Sequence, residues 1–331
     1  MQKSFYVFSS GALKRKDNTI FLEMESGKRF IPVEDTSELH VFGEVDVTKK
    51  FLELASQKEI TIHFYNYYGY YSGSFYPREH RNSGYMILRQ AEHYMDEKKR
   101  LILAQAFVRG ALKNIRVVAR YYASRGEEDL EQLIQTLDER LLQVNETESI
   151  TELMAIEGGC REAYYGYWDA IVKQSDFAFG RRSRRPPENR LNAVISFCNT
   201  LLYTAALSQI YRTHLDPRIG FLHATNFRRF TLNLDVAEIF KPIMVDRTIF
   251  TLIGRKQLSK EHFATEAGGV FLTEQGRQRV VQEFEERLKA TISHRKLGRS
   301  VSYRGLVRME LFKLQKHLMG EEEYEPYHTR W

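Results

Sequence analysis

The spacing of apolar residues changes once along this chain, and that change limits the folds open to it. From Ser4 to Pro77 the apolar residues come in short runs: SFYVF, TIFLEM, KRFIPV, LHVFGEV and ITIHFYNYYGYYSGSF. Turn-forming groups separate them, among them Ser9-Ser10-Gly11, Asp17-Asn18 and Ser26-Gly27. Short runs rich in β-branched and aromatic residues between such turns read as strands of a small sheet domain. Only TKKFLELAS, Thr48 to Ser56, reads there as a helix. Beyond Pro77 the polar stretch PREHRNSGY reads as a linker, and from about Met86 apolar residues recur every three or four positions. That is the period of an amphipathic helix. The sequence therefore predicts an α+β chain with a β domain over 1–77, a linker over 78–90 and a larger all-α domain over 91–331.

Within the helical part, ILRQAEHYMDEKKRLILAQAFVRGALKNIRVVARYY reads as one long helix or a helix pair, and EEDLEQLIQTLDERLLQV as another. Ser149 with Glu152 forms a capping box that starts a further helix. Its apolar stripe runs through Ile150, Leu153, Cys160, Tyr164, Trp168 and Ile171, and the position that completes the face is Glu157. LNAVISFCNTLLYTAALSQIYRTH suits the centre of the domain, and Pro217 and Gly220 end it. From Asp246 onward basic helices alternate with loops until the acidic-aromatic tail GEEEYEPYHTRW. With 331 residues, 43% hydrophobic and 13% aromatic, the chain fills a substantial core, which argues against disorder. The two cysteines, Cys160 and Cys198, lack C-x-x-C spacing, so a disulfide framework or zinc ribbon is not indicated and a reducing cytoplasm fits. No signal-like start is seen and no run approaches roughly 18 apolar residues, so a soluble, cytoplasmic protein without membrane contact is expected.

Three places could carry chemistry. A carboxylate on an apolar stripe is costly unless protonated, paired or bound to a cation. Glu157 is thus either a core ion pair with Arg161, one turn on, or a ligand, and Gly158 and Gly159 leave room beside it. His223 lies among large apolar residues, where a histidine is more often a satisfied core residue. Asp235 and Glu238 are three apart, share a helix face and repel unless a cation lies between or beside them. Arg228, Arg229 or Lys241 could serve as that partner; Asp246, followed by Arg247, reads as a structural ion pair. Taken as a set, one imidazole and two or three carboxylates favour Mg²⁺ or Mn²⁺ over zinc. No phosphate-cradling, dinucleotide or serine-elbow motif is present, and Cys160 in an apolar setting reads as inert core. RRSRRPPENR, Arg181 to Arg190, is either a solvated turn or a phosphate clamp through Arg181, Arg182, Arg184 and Arg185. The net charge of +6 suits an anionic partner, and a basic surface around a divalent ion suggests phosphodiester chemistry.

The segments AIEGGCREAYY, RRSRRPPENRLNAVISFCNTLLYTAALSQIYRTHLDPRIGFLH and LNLDVAEIFKP, in that order, resemble the CRISPR spacer-acquisition integrases, the Cas-one endonuclease family. The likeness extends over nearly the whole chain. It implies metal ligation by Glu157, His223 and Glu238, with Asp235 an assisting acid, and DNA contacts from the arginine loop, Arg228, Arg229 and Lys241. The family's frequent Arg-Pro is Lys241-Pro242 here, which keeps the charge without the bidentate fork. The resemblance further implies a homodimer joined through the β domains, two such dimers bridged by a Cas-two dimer, and insertion of protospacer DNA into the CRISPR repeat. The reaction is attack of a 3′-hydroxyl on a phosphodiester in one step, with divalent-dependent nuclease activity when water replaces the hydroxyl. A catalytically inactive DNA-binding scaffold of the same fold is the alternative.

Overall fold

The structure of the chain, a computed structural model, describes residues 3–77, 81, 83–225, 230–294 and 297–329. It forms two compact units, Met1–His80 and Arg81–Trp331.

In the first unit, turn residues cut the chain into β1 (Lys3–Val7), β2 (Gly11–Lys16), β3 (Thr19–Met24), β4 (Gly27–Ile31), β5 (Thr36–Val41), β6 (Val45–Val47), helix α1 (Lys49–Gln57), β7 (Thr61–Tyr65) and β8 (Tyr71–Phe75). They make two sheets, ordered β1-β5-β7-β8 and β4-β3-β2-β6. In the first, β1, β5 and β7 run parallel and β8 returns antiparallel. In the second, β2, β3 and β4 form an antiparallel meander with β6 parallel to β2. Leu13, Ile20, Leu22, Leu39, Val41, Phe51, Leu54 and Ile62 share one core. Alternation does not mark β2, GALKRK, because Leu13 is its only deeply buried side chain. Strand β5 is buried along its whole length. Of its polar residues, His40 stacks on Tyr6 at 4.5 Å and shares a 2.8 Å hydrogen bond between Nδ1 and the Tyr65 hydroxyl.

The second unit contains α2 (Gly84–Met95), α3 (Glu97–Ala123), α4 (Leu130–Val144), α5 (Ile150–Gly166), α6 (Trp168–Val172), α7 (Arg190–Ile210), α8 (Leu232–Lys241), a π-helical turn Pro242–Asp246, α9 (Arg247–Gly254), β9 (Phe263–Glu266), β10 (Gly269–Leu272), α10 (Glu274–Lys289), β11 (Thr291–His294), β12 (Arg299–Ser302) and α11 (Tyr303–Leu318). The long helical stretch is a pair: Asp96 takes an extended conformation and caps α3 by accepting from the Lys99 N–H at 3.0 Å. The expected linker 78–90 is corrected over its second half, which is α2; Ser83 caps that helix and Met86 and Gln90 are buried. The region after Asp246 is not helices and loops alone, since β9/β10 and β11/β12 are antiparallel hairpins. Helix α7 is long and apolar enough to cross a membrane by length and composition, although polar residues interrupt its apolar run. It is a core helix here, mostly buried, including Asn192, Thr204, Ser208 and Gln209.

Asn114, fully buried in α3, ties the C-terminal segment to α8. Its amide donates to the Ile239 carbonyl at 2.8 Å and the Tyr327 carbonyl at 3.3 Å, and its oxygen accepts from the Thr329 N–H at 2.8 Å. Glu310 secures the same segment by accepting from the Tyr324 hydroxyl and the Tyr327 N–H. Replacing Asn114 by leucine keeps the volume and strands those buried groups, so urea unfolding should show a loss of about 2–4 kcal/mol. A change within error would show that the tail is held by other contacts.

Candidate metal centre on helices α5 and α8

The site begins with a buried carboxylate. Asp235, in the first turn of α8, is fully buried and accepts the backbone N–H of Phe221 at 2.5 Å, of Leu222 at 3.0 Å and of His223 at 3.0 Å. It also meets His223 Nδ1 at 2.7 Å. The glycine of the GFLH segment is required for this approach: a Cβ at Gly220 would stand 2.7 Å from Asp235 Oδ2 and 2.8 Å from the Thr231 carbonyl carbon. Thr231 holds the loop from the other side, accepting from the Gly220 N–H and donating to the Arg218 carbonyl, both at 2.8 Å. Arg100 of α3 donates to the Phe221 carbonyl at 2.8 Å. With Nδ1 donating to Asp235, the lone pair of His223 is on Nε2.

Opposite charges meet on the neighbouring helices. On α5, Glu157 and Arg161 are one turn apart, and Arg161 Nε is 3.6 Å from Glu157. Arg161 Nη2 donates to Glu238 of α8 at 3.2 Å, and Nη1 lies 3.8 Å from Asp246. Lys241, one turn after Glu238, donates to it as well. Burial and the charge of Glu238 push the Glu157 carboxyl up, against the pull of Arg161. Burial opposes ionisation of Glu238 too, but Lys241 and Arg161 overcome it and hold that carboxyl low. Burial lowers His223, and the hydrogen bond and charge of Asp235, with Glu238 behind it, outweigh burial and hold the imidazole above its ordinary value. Arg161 thus links Glu157 of α5 to Glu238 of α8, and the charges of Glu157, His223 and Glu238 act on one another. Burial lifts Asp246 to about 7.

Several expectations change. Asp235, expected as an assisting acid, has its oxygens engaged by three amides and an imidazole, which makes it the group that positions the His223 loop. Asp246 faces Arg161 instead of pairing with Arg247, whose guanidinium lies 4.9 Å over the Tyr121 ring. In the arginine loop, Arg181 is paired to Glu188 at 2.9 Å, and Arg182 is bound within the fold to Asn192 at 2.8 Å and Ser196 at 3.1 Å. Arg184 and Arg185 are exposed. Arg228 and Arg229 lie outside the described residues. Burial pushes Cys160 up to about 11, as its apolar setting predicts. Sequence reasoning missed Thr231 and gave Arg161 only one partner; a buried arginine on the same face as Glu157 was the available signal.

Among the described residues, no three His, Cys, Asp or Glu side chains stand ready to hold a metal ion. Glu157 and Glu238 are instead engaged by Arg161, and Glu238 by Lys241 as well. The donor set nevertheless fits a hard divalent cation chemically: two carboxylates close enough to repel, one of them pushed toward its neutral form, beside an imidazole whose tautomer is fixed. A Cβ at Gly158 or Gly159 would meet nothing within 4 Å, so the surface beside Glu157 is open.

Comparison with known proteins adds a family. The description "CRISPR associated protein Cas1" matches residues 5–286. A CRISPR-associated endonuclease Cas1 of Thermodesulfovibrio yellowstonii is 56% identical over 331 residues, covering 100% of both chains. The structure of a Cas1 protein from Thermotoga maritima superposes with a TM-score of 0.89 at 46% identity, covering 99% of this chain and 100% of that one. A casposase bound to its integration product shares the fold, with a TM-score of 0.86 at 16% identity over 98% of this chain and 93% of that one.

The Asp235 network sets an expectation for pH. A histidine raised in the folded state adds stability that is fully present below its unfolded value of about 6.5 and is lost as pH rises through the folded value. Asp235→Asn should lower the His223 titration midpoint in an NMR titration and flatten that stretch of the stability curve. It should also cost about 2 kcal/mol or more at neutral pH, because an amide has one acceptor where the loop needs several. An unchanged midpoint would contradict the assignment.

Proposed function

The chain belongs to the Cas1 family of CRISPR-associated proteins, and we propose that it is a divalent-metal-dependent DNA endonuclease and integrase. The observation that carries this reading is the fixed His223 imidazole beside the Glu157 and Glu238 carboxylates, with open surface at Gly158 and Gly159. Glu157, His223 through Nε2 and Glu238 would hold Mg²⁺ or Mn²⁺. A bound divalent ion supplies charge that polarises a phosphoryl oxygen and lowers the cost of deprotonating the attacking hydroxyl.

The chain's own groups prepare that reaction. Asp235 orients His223 and keeps the proton on Nδ1, leaving Nε2 to bind. Arg161 and Lys241 compensate the carboxylates until DNA and cation arrive. In strand transfer, the 3′-hydroxyl oxygen of the incoming DNA bonds to phosphorus as the bond to the repeat strand's 3′ oxygen breaks. One phosphodiester replaces another, so no external energy source and no protein nucleophile are needed. With water as the attacking group the same site cleaves DNA. Within the arginine loop, Arg184 and Arg185 are exposed and available to phosphates, and protospacer, repeat, a second copy of this chain and a Cas2 dimer are the expected partners. The shared fold with a casposase solved on its integration product is in keeping with this reading.

A second reading, an inactive DNA-binding scaffold, is favoured by the ion pairs that Arg161 and Lys241 already make. A strand-transfer assay with Mn²⁺ or Mg²⁺ at matched DNA occupancy separates the two. His223→Ala should lower product on the order of 100-fold, and equal product from both proteins would favour the scaffold. Gly158→Ala should raise helix stability by up to about 1 kcal/mol and yet reduce strand transfer, if DNA uses the open surface. Higher stability with full activity would remove that role.

A further inference from the structure

Arg161 is shared among three acids on three elements, and its bonds to them are unequal. Glu238 receives a hydrogen bond at 3.2 Å, and Glu157 lies 3.6 Å away. The third contact is unfinished: Arg161 Nη1 and Asp246 Oδ2 are both buried, neither makes a hydrogen bond of ordinary geometry among the described residues, and they stand 3.8 Å apart, with the Tyr164 hydroxyl, itself buried, also acting on Asp246. A buried donor facing a buried acceptor across slightly more than a hydrogen-bond length is an unusual arrangement, since each ordinarily finds a partner. Pro242 contributes to it. Proline lacks the N–H that would continue the α8 ladder, and the chain widens into the π-helical turn that ends at Asp246.

We propose that Asp246 is the alternate acceptor for Arg161, so that a divalent cation can take Glu157 and Glu238 while the guanidinium moves onto Asp246. This rests on the metal reading of Glu157, His223 and Glu238. A guanidinium cannot shed its charge. Once its two nearer acids are given to a cation, it is repelled by that cation and needs another anion inside the fold. Asp246 is the acid already in contact with it, and closing the gap completes a charge-assisted hydrogen bond on both orphaned atoms. Asp246 is thereby a positioning residue, acting on the metal only through Arg161. No bond is made or broken in the exchange.

Binding of Mn²⁺ alone, followed by electron paramagnetic resonance of the free ion, tests this in the full chain without any turnover. Asp246→Asn should weaken Mn²⁺ binding about ten-fold or more, because Arg161 then competes for Glu157 and Glu238 without an alternative. In an Arg161→Gln background the same substitution should have little effect, which is the coupling expected of residues that act through one another. Equal affinity of wild type and Asp246→Asn overturns the proposal while the metal reading stands, as does a loss that is just as large without Arg161. Wild-type binding that is absent, or unaffected by His223→Ala, overturns the metal reading and this inference with it. Should Asp246→Asn not fold, arginine side-chain ¹⁵N NMR of the wild type decides. The Arg161 guanidinium signals should shift on saturation with Mg²⁺, and signals that stay in place overturn the exchange.

Discussion

The buried carboxylate of Asp235 fixes the place of His223, and with it one side of the site. A charged group with no exposure is tolerated only where its oxygens are fully bonded, and here three consecutive amides and an imidazole do that. The bonds work both ways. The loop after α7 has no helix or strand of its own to satisfy Phe221, Leu222 and His223, so it wraps around the carboxylate that does. Gly220 is the entry to that wrap because any side chain would strike Asp235 or Thr231. Arg100, from α3, donates to the Phe221 carbonyl of the same loop.

Around this fixed imidazole the other charges are held in balance and not in a finished metal geometry. Arg161 and Lys241 neutralise Glu157 and Glu238, and the balance leaves Glu238 ionised and Glu157 pushed up. Such an arrangement is stable without a cation, which a cluster of bare carboxylates would not be. It also makes cation binding an exchange of partners. Asp235 and Glu238 share α8 but serve different partners: Asp235 binds the loop that carries His223, and Glu238 binds Arg161 and Lys241.

Much of this was legible in the sequence. The change of apolar period separated the sheet domain from the helical one, and the interruption of the α5 stripe singled out Glu157. Spacing alone put Asp235 and Glu238 on one face of α8, but it could not assign their roles, because the loop that Asp235 binds arrives from another part of the chain. The arginine run shows the same limit: of five similar residues, Arg181 is paired with Glu188, Arg182 is anchored to Asn192, Arg190 donates to the Asp176 carbonyl, and Arg184 and Arg185 are exposed. Strand β2 and the two late hairpins escaped notice because polar side chains hide their alternation. The widened turn after Pro242, which ends at the Asp246 that faces Arg161, was likewise invisible.

Anomalous diffraction from crystals grown with Mn²⁺ tests the central claim most directly. The account predicts one peak liganded by Glu157, Nε2 of His223 and Glu238, with Asp235 still on its three amides. A map without that peak, with Arg161 still bridging Glu157 and Glu238, would contradict it; so would a peak in which Asp235 has left the loop to become a ligand.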